Sequence, residues 1–212
     1  MIMQCIDRIH TFTSNIERLK SLMRFSGQYG WKDYPVESFY DSVASHSWRL
    51  ATMVMMIAPH LSKPFNVEKA IKMALIHDLP EIIAGDDSPM GKDCTGQDTH
   101  AYNEAIAEQR FEKERKAAKE LFTGLPKEQS LEWFDLWLEC EKLESFESQI
   151  IKALDKIEAT FQVFEYQEGH MYPEHFEFSI KYCMKYAYVD PAIEAYGQSI
   201  VDRMKAAYKP YE

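Results

Sequence analysis

The segment from Met73 to Gly85 reads Met-Ala-Leu-Ile-His-Asp-Leu-Pro-Glu-Ile-Ile-Ala-Gly, so His77, Asp78 and Glu81 lie inside an otherwise apolar run. Burying a charge there is costly unless something compensates for it. An adjacent imidazole and carboxylate at a helix end can both point at one cation. Glu81 follows His77 by four residues and Asp78 by three, so one further turn returns it to the same side. Pro80 marks a kink or a helix restart between them. The same residues also suit a plainer arrangement, a capping aspartate beside a buried histidine satisfied by its neighbours.

Two further residues favour the metal. His46 stands in Ser-Val-Ala-Ser-His-Ser, on the first turn of an expected helix, and Asp155 in Ile-Lys-Ala-Leu-Asp-Lys borders an apolar stripe. Taken singly, His46 is a helix-end histidine and Asp155 is half of an ion pair with Lys152 or Lys156. Together, two histidines and two aspartates suit a divalent ion that keeps open positions for water and substrate. Spacing alone does not select these four from 7 histidines and 34 acidic residues.

The elements that must position them are helices. Ile6, Ile9, Ile16, Leu19 and Met23 mark a first helix ended by Ser26, Gly27 and Gly30, followed by a structured loop from Gln28 to Asp41. Ser42 is the expected N-cap of a second helix running to Pro59, and Asn66 caps a third through Leu75. A loop from Gly85 to Gly96 precedes a long charged helix over roughly Thr99–Phe122 and another leading to Leu143. Phe146, Ile150, Leu154, Ile157, Phe161 and Phe164 then recur at steps of three and four up to Gly169. Two last helices are expected over Pro173–Ala187 and Pro191–Ala207. No period-two alternation and no hairpin signal occurs. The fold class is all-α, and residues 1–212 read as one domain.

Composition narrows the function. The 212 residues are 46% hydrophobic and 27% charged, a globular profile with no low-complexity tract. With 24 Lys and Arg against 34 Asp and Glu, the net charge is −10, which argues against nucleic acid and anionic membranes as partners. No apolar run is long enough to span a bilayer. Cys5, Cys94, Cys140 and Cys183 form no Cys-x-x-Cys pair, so a cytoplasmic protein is expected.

The order His46, His77-Asp78, Asp155 resembles that of the HD-domain metal-dependent phosphohydrolases. The likeness is closer to the branch of the 5′-deoxynucleotidases and HD-domain-containing protein 2. It runs from about Leu19 to at least Phe164 and rests on Leu-Lys…Arg24, Ser-Val-Ala-Ser-His46-Ser, Ala-Leu-Ile-His77-Asp78-Leu-Pro-Glu81-Ile-Ile-Ala-Gly-Asp86 and Ile-Lys-Ala-Leu-Asp155-Lys. The stretch from His77 to Asp86 is specific, whereas a His-Asp pair alone is not. The resemblance implies a helical HD bundle that hydrolyses (deoxy)nucleoside 5′-monophosphates. It makes His46, His77, Asp78 and Asp155 ligands of one divalent ion (Mn, Co, Fe, Ni or Zn), Glu81 and Asp86 the catalytic acidic pair, and Arg24 a substrate contact. It also implies a homodimer. Two positions depart from the branch. Ser45 precedes the first histidine where an acid is usual, and Phe25 follows the arginine where the bacterial enzymes carry Trp. A ring smaller than indole crowds a 2′-hydroxyl less, so weaker rejection of ribonucleotides is expected, unless Phe25 points into the core or Trp31 takes the sugar-facing role.

Other residues carry less. Lys92, in Ser-Pro-Met-Gly-Lys, is either a phosphate contact reaching in from the loop or simply solvated. His100 and His170 read as exposed. Arg110, Lys113, Arg115 and Lys116, interleaved with Glu, read as a solvated helix face. Met53, Met55 and Met56 fill the core or a helix–helix dimer face. Two rival functions remain: an HD hydrolase of guanosine polyphosphates or nucleoside triphosphates, and a scaffold without turnover.

Overall fold

A computed structural model describes residues 2–25, 41–92 and 94–211. The chain forms α1 (Ile2–Ile16), α2 (Val43–Ile57), α3 (Val67–Ile76), α4 (Glu81–Ala84), α5 (Glu104–Phe122), α6 (Lys127–Lys142), α7 (Phe146–Gln167), α8 (Pro173–Met184) and α9 (Pro191–Ala207). Short 3-10 turns at Glu17–Lys20, Ala58–His60 and Ala187–Val189 join them. The all-α expectation holds. One feature too short for periodicity to register is a two-residue parallel pairing of β1 (His170–Met171) with β2 (Lys209–Pro210), which ties the end of α7 to the end of α9. Ser26, Gly27 and Gly30, read from the sequence as a helix end, the loop expected from Gln28 as far as residue 40, and Trp31, the alternative sugar-facing residue, lie outside the described residues.

Side-chain caps set several boundaries. Ser42 and Ser45 cap α2 reciprocally, and Asn66 accepts the Lys69 N–H at the start of α3. Ser145 and Ser148 form the same reciprocal cap on α7. The charged helix α5 begins at Glu104 and not near Thr99. The Thr99 hydroxyl is bonded to the carbonyls of Pro89 and Gly96, and Asn103 supplies the cap by accepting the Ile106 N–H. The helix α8 ends at Met184, three residues before the expected Ala187.

The centre of the bundle is α7, which packs against α2, α3, α6, α8 and α9. Ile150, Ile151, Leu154 and Ile157 are buried to 1% exposure or less, each contributing about 1.5–3 kcal/mol by leaving water. They join Leu50, Val54, Met73, Ile193 and Met204 in the main core. A second apolar cluster, with Phe12, Phe122 and Trp137, lies between α1, α5 and α6. Because α7 is enclosed, polar residues at 155, 156 and 158 are carried into the interior with it. No described helix is long and apolar enough to cross a membrane.

Candidate metal centre and its cleft

Three elements converge on the centre. The first turn of α2 places His46, fully buried. The end of α3 places His77 as its C-cap, with Asp78 next in the turn. The middle of α7 places Asp155, 8% exposed. Nε2 of His46 lies 3.3 Å from Asp155 Oδ1 and 3.6 Å from Asp78 Oδ2, while Nε2 of His77 lies 3.2 Å from Asp78 Oδ2. His46, His77 and Asp155 each offer a ligand atom within 4.8 Å of the others.

The second nitrogen of each ring fixes which one faces the centre. His77 Nδ1–H donates to the Ala74 carbonyl at 3.0 Å, and His46 Nδ1–H donates to Glu158 Oε2 at 2.5 Å. Both Nε2 atoms therefore face the centre, and both are buried with no hydrogen-bond partner. A buried nitrogen left unpaired is costly, and two of them facing two carboxylates are what a divalent cation requires. The donor set fits a borderline divalent ion. Burial works against ionisation at Asp155, but Lys156 and His46 hold its carboxyl well below the usual range. Burial likewise raises Asp78, and His77 and His46 overcome it, so both aspartates are charged and able to hold a cation.

Around this centre lies a narrow cleft of about 50 Å³ that is also lined by Arg24, Phe25, Glu81, Asp86 and Lys156. Pro80 restarts the chain as α4, which places Glu81 in its first turn. Gly85 then adopts φ +83, a conformation that glycine takes without strain, and turns Asp86 toward the cleft. Burial pushes Glu81 well above the usual carboxyl range, helped by Asp78 and Asp86 and opposed by Arg110. Burial raises Asp86 too, against Arg24. Arg24 donates to Asp41 Oδ2 at 2.8 Å and Glu158 Oε2 at 3.1 Å, and those carboxylates keep it charged despite burial. Ser45, in place of the usual acid, donates to Asp41 Oδ1 at 2.9 Å, so Asp41 supplies a carboxylate at this helix start.

The structure gathers His46, His77, Asp78, Glu81, Asp86, Asp155 and Arg24 within one region. Phe25 has two faces. It is buried in the main core at φ +61, its ring lies 5.0 Å from the Arg24 guanidinium, and it forms part of the cleft wall. Lys92 is exposed, with its backbone N–H on Asp98, and is not among the residues lining the cleft. Asp155 does pair with Lys156 at 2.7 Å, but the pair is buried and not superficial.

Four residues were missed or misread from the sequence. Arg110 does not belong to a solvated face: it holds Glu81 at 3.2 Å and Glu114 at 2.6 Å, and Glu114 is buried. His100 is half-buried and lines the cleft, where it had been expected in solvent. Glu158, which positions His46, lies three residues after Asp155, a spacing that places it on the same side of α7. His170 is half-buried and stacks on Tyr211.

Comparison with known proteins agrees with this geometry. A family model described as HD domain matches residues 16–196. The chain is 32% identical over 169 residues to 5′-deoxynucleotidase HDDC2 of Dictyostelium discoideum, covering 77% of this chain and 78% of that one. Against 5′-deoxynucleotidase HDDC2 of Homo sapiens it is 30% identical, over 60% of this chain and 55% of the other, so it spans little more than half the human relative. The crystal structure of a predicted metal-dependent phosphohydrolase from Magnetospirillum magnetotacticum MS-1 superposes with a TM-score of 0.70 at 26% identity, covering 97% and 99% of the two chains. With that family model matched over residues 16–196, the chain belongs to the HD domain family.

Proposed function

We propose that the protein is a metal-dependent phosphomonoesterase that hydrolyses (deoxy)nucleoside 5′-monophosphates to nucleoside and phosphate. The observation that carries this is the pair of buried, unpaired Nε2 atoms of His46 and His77 facing Asp78 and Asp155. The relatives named 5′-deoxynucleotidase support the substrate class. In this reading His46, His77, Asp78 and Asp155 hold one divalent ion, which supplies charge neutralisation to a phosphate monoester. Mn, Co, Fe, Ni and Zn all suit the donor set.

The protein's own groups do the rest. Arg24, charged and held by two carboxylates, binds a phosphate oxygen and cancels part of its charge. Glu81 is the proton holder. Arg110 occupies its Oε1, so Oε2 carries the proton and gives it to the departing 5′ oxygen. Asp86, whose carboxyl is raised by burial, orients the attacking water and accepts its proton. The narrowness of the cleft limits bulk water around these groups.

The same reading treats the chain as one HD domain acting in the cytoplasm as a homodimer, without nucleic-acid or membrane partners. Four cysteines, none of them in a disulfide, support the compartment. Trp48, Met55 and Met56 on α2 are exposed by 67%, 52% and 61%, an apolar surface that supports self-association.

A panel of phosphorylated nucleosides, with phosphate and pyrophosphate release measured separately, tests the activity. Phosphate alone should appear from monophosphates, stop on chelation and return with a transition metal. Pyrophosphate release, or inert metal-loaded protein, overturns the proposal.

A further inference from the structure

Beside the metal cleft lies a chamber of about 580 Å³, within the ordinary size range of small-molecule sites. Cleft and chamber share His100, Arg110, Glu141, Lys152, Lys156 and Tyr182 as common wall, so a ligand anchored in one extends into the other.

Its walls look cationic until each charge is followed to its partner. Lys152 pairs with Glu141 at 3.6 Å and Lys156 with Asp155 at 2.7 Å. Arg110 is held by Glu81 and Glu114. Lys142 lies 3.8 Å from Glu144. Lys185 donates to the Ala101 carbonyl and sits over the rings of Tyr102 and Tyr186 at 5.0 and 5.1 Å. Among the described residues, every lysine and arginine of the chamber wall is thus already engaged, and exposed Glu104 and Glu108 also line it. A second or third phosphate entering here would meet carboxylates and no spare cation.

What the chamber does offer is ring surface and neutral hydrogen bonding. Phe111, Tyr182 and Tyr186 line it. Burial, then Arg110, Lys156, Lys152 and Lys185, push His100 down to about 2. It therefore stays neutral and presents one donor and one acceptor nitrogen. Aromatic faces of this kind stack on any nucleobase.

We infer that this chamber seats the nucleobase of the substrate, as an uncharged flat ring system, and excludes nucleotides carrying additional phosphates. The inference rests on reading the metal cleft as the phosphate end.

The test uses metal-loaded protein and two variants outside the cleft, Ala107→Trp, which fills the chamber, and Tyr186→Ala, which removes a ring. Rates are compared for deoxyadenosine 5′-monophosphate and 2-deoxyribose 5-phosphate, which lacks the base. Binding of deoxyadenosine is measured by calorimetry and needs no turnover. The native protein should favour the nucleotide by about tenfold or more in kcat/KM, the order of one base–aromatic contact. Both variants should erase that ratio and nucleoside binding, leaving the base-free substrate within about twofold of native. Deoxyadenosine diphosphate should compete no better than the monophosphate. An unchanged ratio, an equal loss on both substrates, tighter binding of the diphosphate, or no nucleoside binding by the native protein each overturns the inference. If no monophosphate is turned over at all, the proposed reaction fails. Nucleoside binding that is lost in both variants still upholds the chamber in that case.

Discussion

The Nδ1–H of His46 donates to Glu158 Oε2 at 2.5 Å, and the same oxygen receives Arg24 Nη1 at 3.1 Å. One fully buried carboxylate thus orients His46, the proposed metal ligand, and Arg24, the proposed phosphate contact, together. Partners of this kind typically account for 10–100-fold in metal affinity. Glu158→Gln keeps the shape and an oxygen for the Nδ1–H but removes the charge. It should weaken metal binding by about 10-fold or more and raise KM, with helical content unchanged. Titration with a metal-sensitive dye and steady-state kinetics check this. Native metal affinity together with native KM would separate Glu158 from the site.

Asp155 serves both the centre and Lys156, so its removal has two effects that a second substitution separates. Asp155→Ala should lose bound metal and leave a buried ammonium without its counter-ion, at a cost on the order of 3 kcal/mol or more. Adding Lys156→Met should recover much of the melting temperature and none of the metal. Stoichiometric metal in either variant would remove Asp155 from the ligand set.

Metal uptake should depend on pH with a definite sign. Burial and Arg24 lower the His46 pKa in the metal-free protein, but Glu158 and Asp155 outweigh them and bring it to about 9. At neutral pH the cation must therefore displace a proton from Nε2. Apparent affinity should rise about tenfold per pH unit up to about 9 and level off above it. About one proton should be released per ion bound, readable by calorimetry in buffers of different ionisation enthalpy. Affinity independent of pH between 6 and 9 would contradict this.

Glu81 is placed outside the ligands, so Glu81→Gln should retain stoichiometric metal while kcat falls by ~10²–10⁴-fold. Its carboxyl sits well above the usual range, so the acid form is the active one and the rate should decline as pH rises through that raised pKa. The variant should lack this alkaline limb. Near-normal turnover would transfer proton donation to Asp86.

Phe25 supports Arg24 through its ring face at 5.0 Å, a contact worth ~0.5–1 kcal/mol or somewhat more when desolvated. Phe25→Leu should raise KM several-fold for deoxy- and ribonucleotides alike. A change in the ratio of their kcat/KM values would instead place the ring against the sugar.

How much of this could be read from the chain differs by kind of information. The helical class was legible because apolar residues at steps of three and four, as along Phe146 to Phe164, admit no other regular structure with a buried face. Caps were legible where the chemistry is local: Ser42 and Asn66 each bond a backbone N–H three residues on. The Thr99 boundary was not, since its hydroxyl is bonded to Pro89, ten residues earlier.

The segment His77 to Asp86 announced a site because charges in an apolar run need a reason, and Pro80 and Gly85 act on their immediate neighbours. His46 and Asp155 followed from family resemblance. Their approach to 3.3 Å joins two helices more than a hundred residues apart in sequence, which no local spacing encodes. Arg110 and His100 were misread for the same reason. A charged residue among Glu neighbours has one local pattern whether its helix face meets water or Glu81, and only the packing of α5 on α4 decides between them. The sequence determined which groups were available and which helices carried them. The tertiary structure decided which groups lost their water, and with it their pKa values, their partners and the imidazole nitrogens turned toward the candidate metal centre.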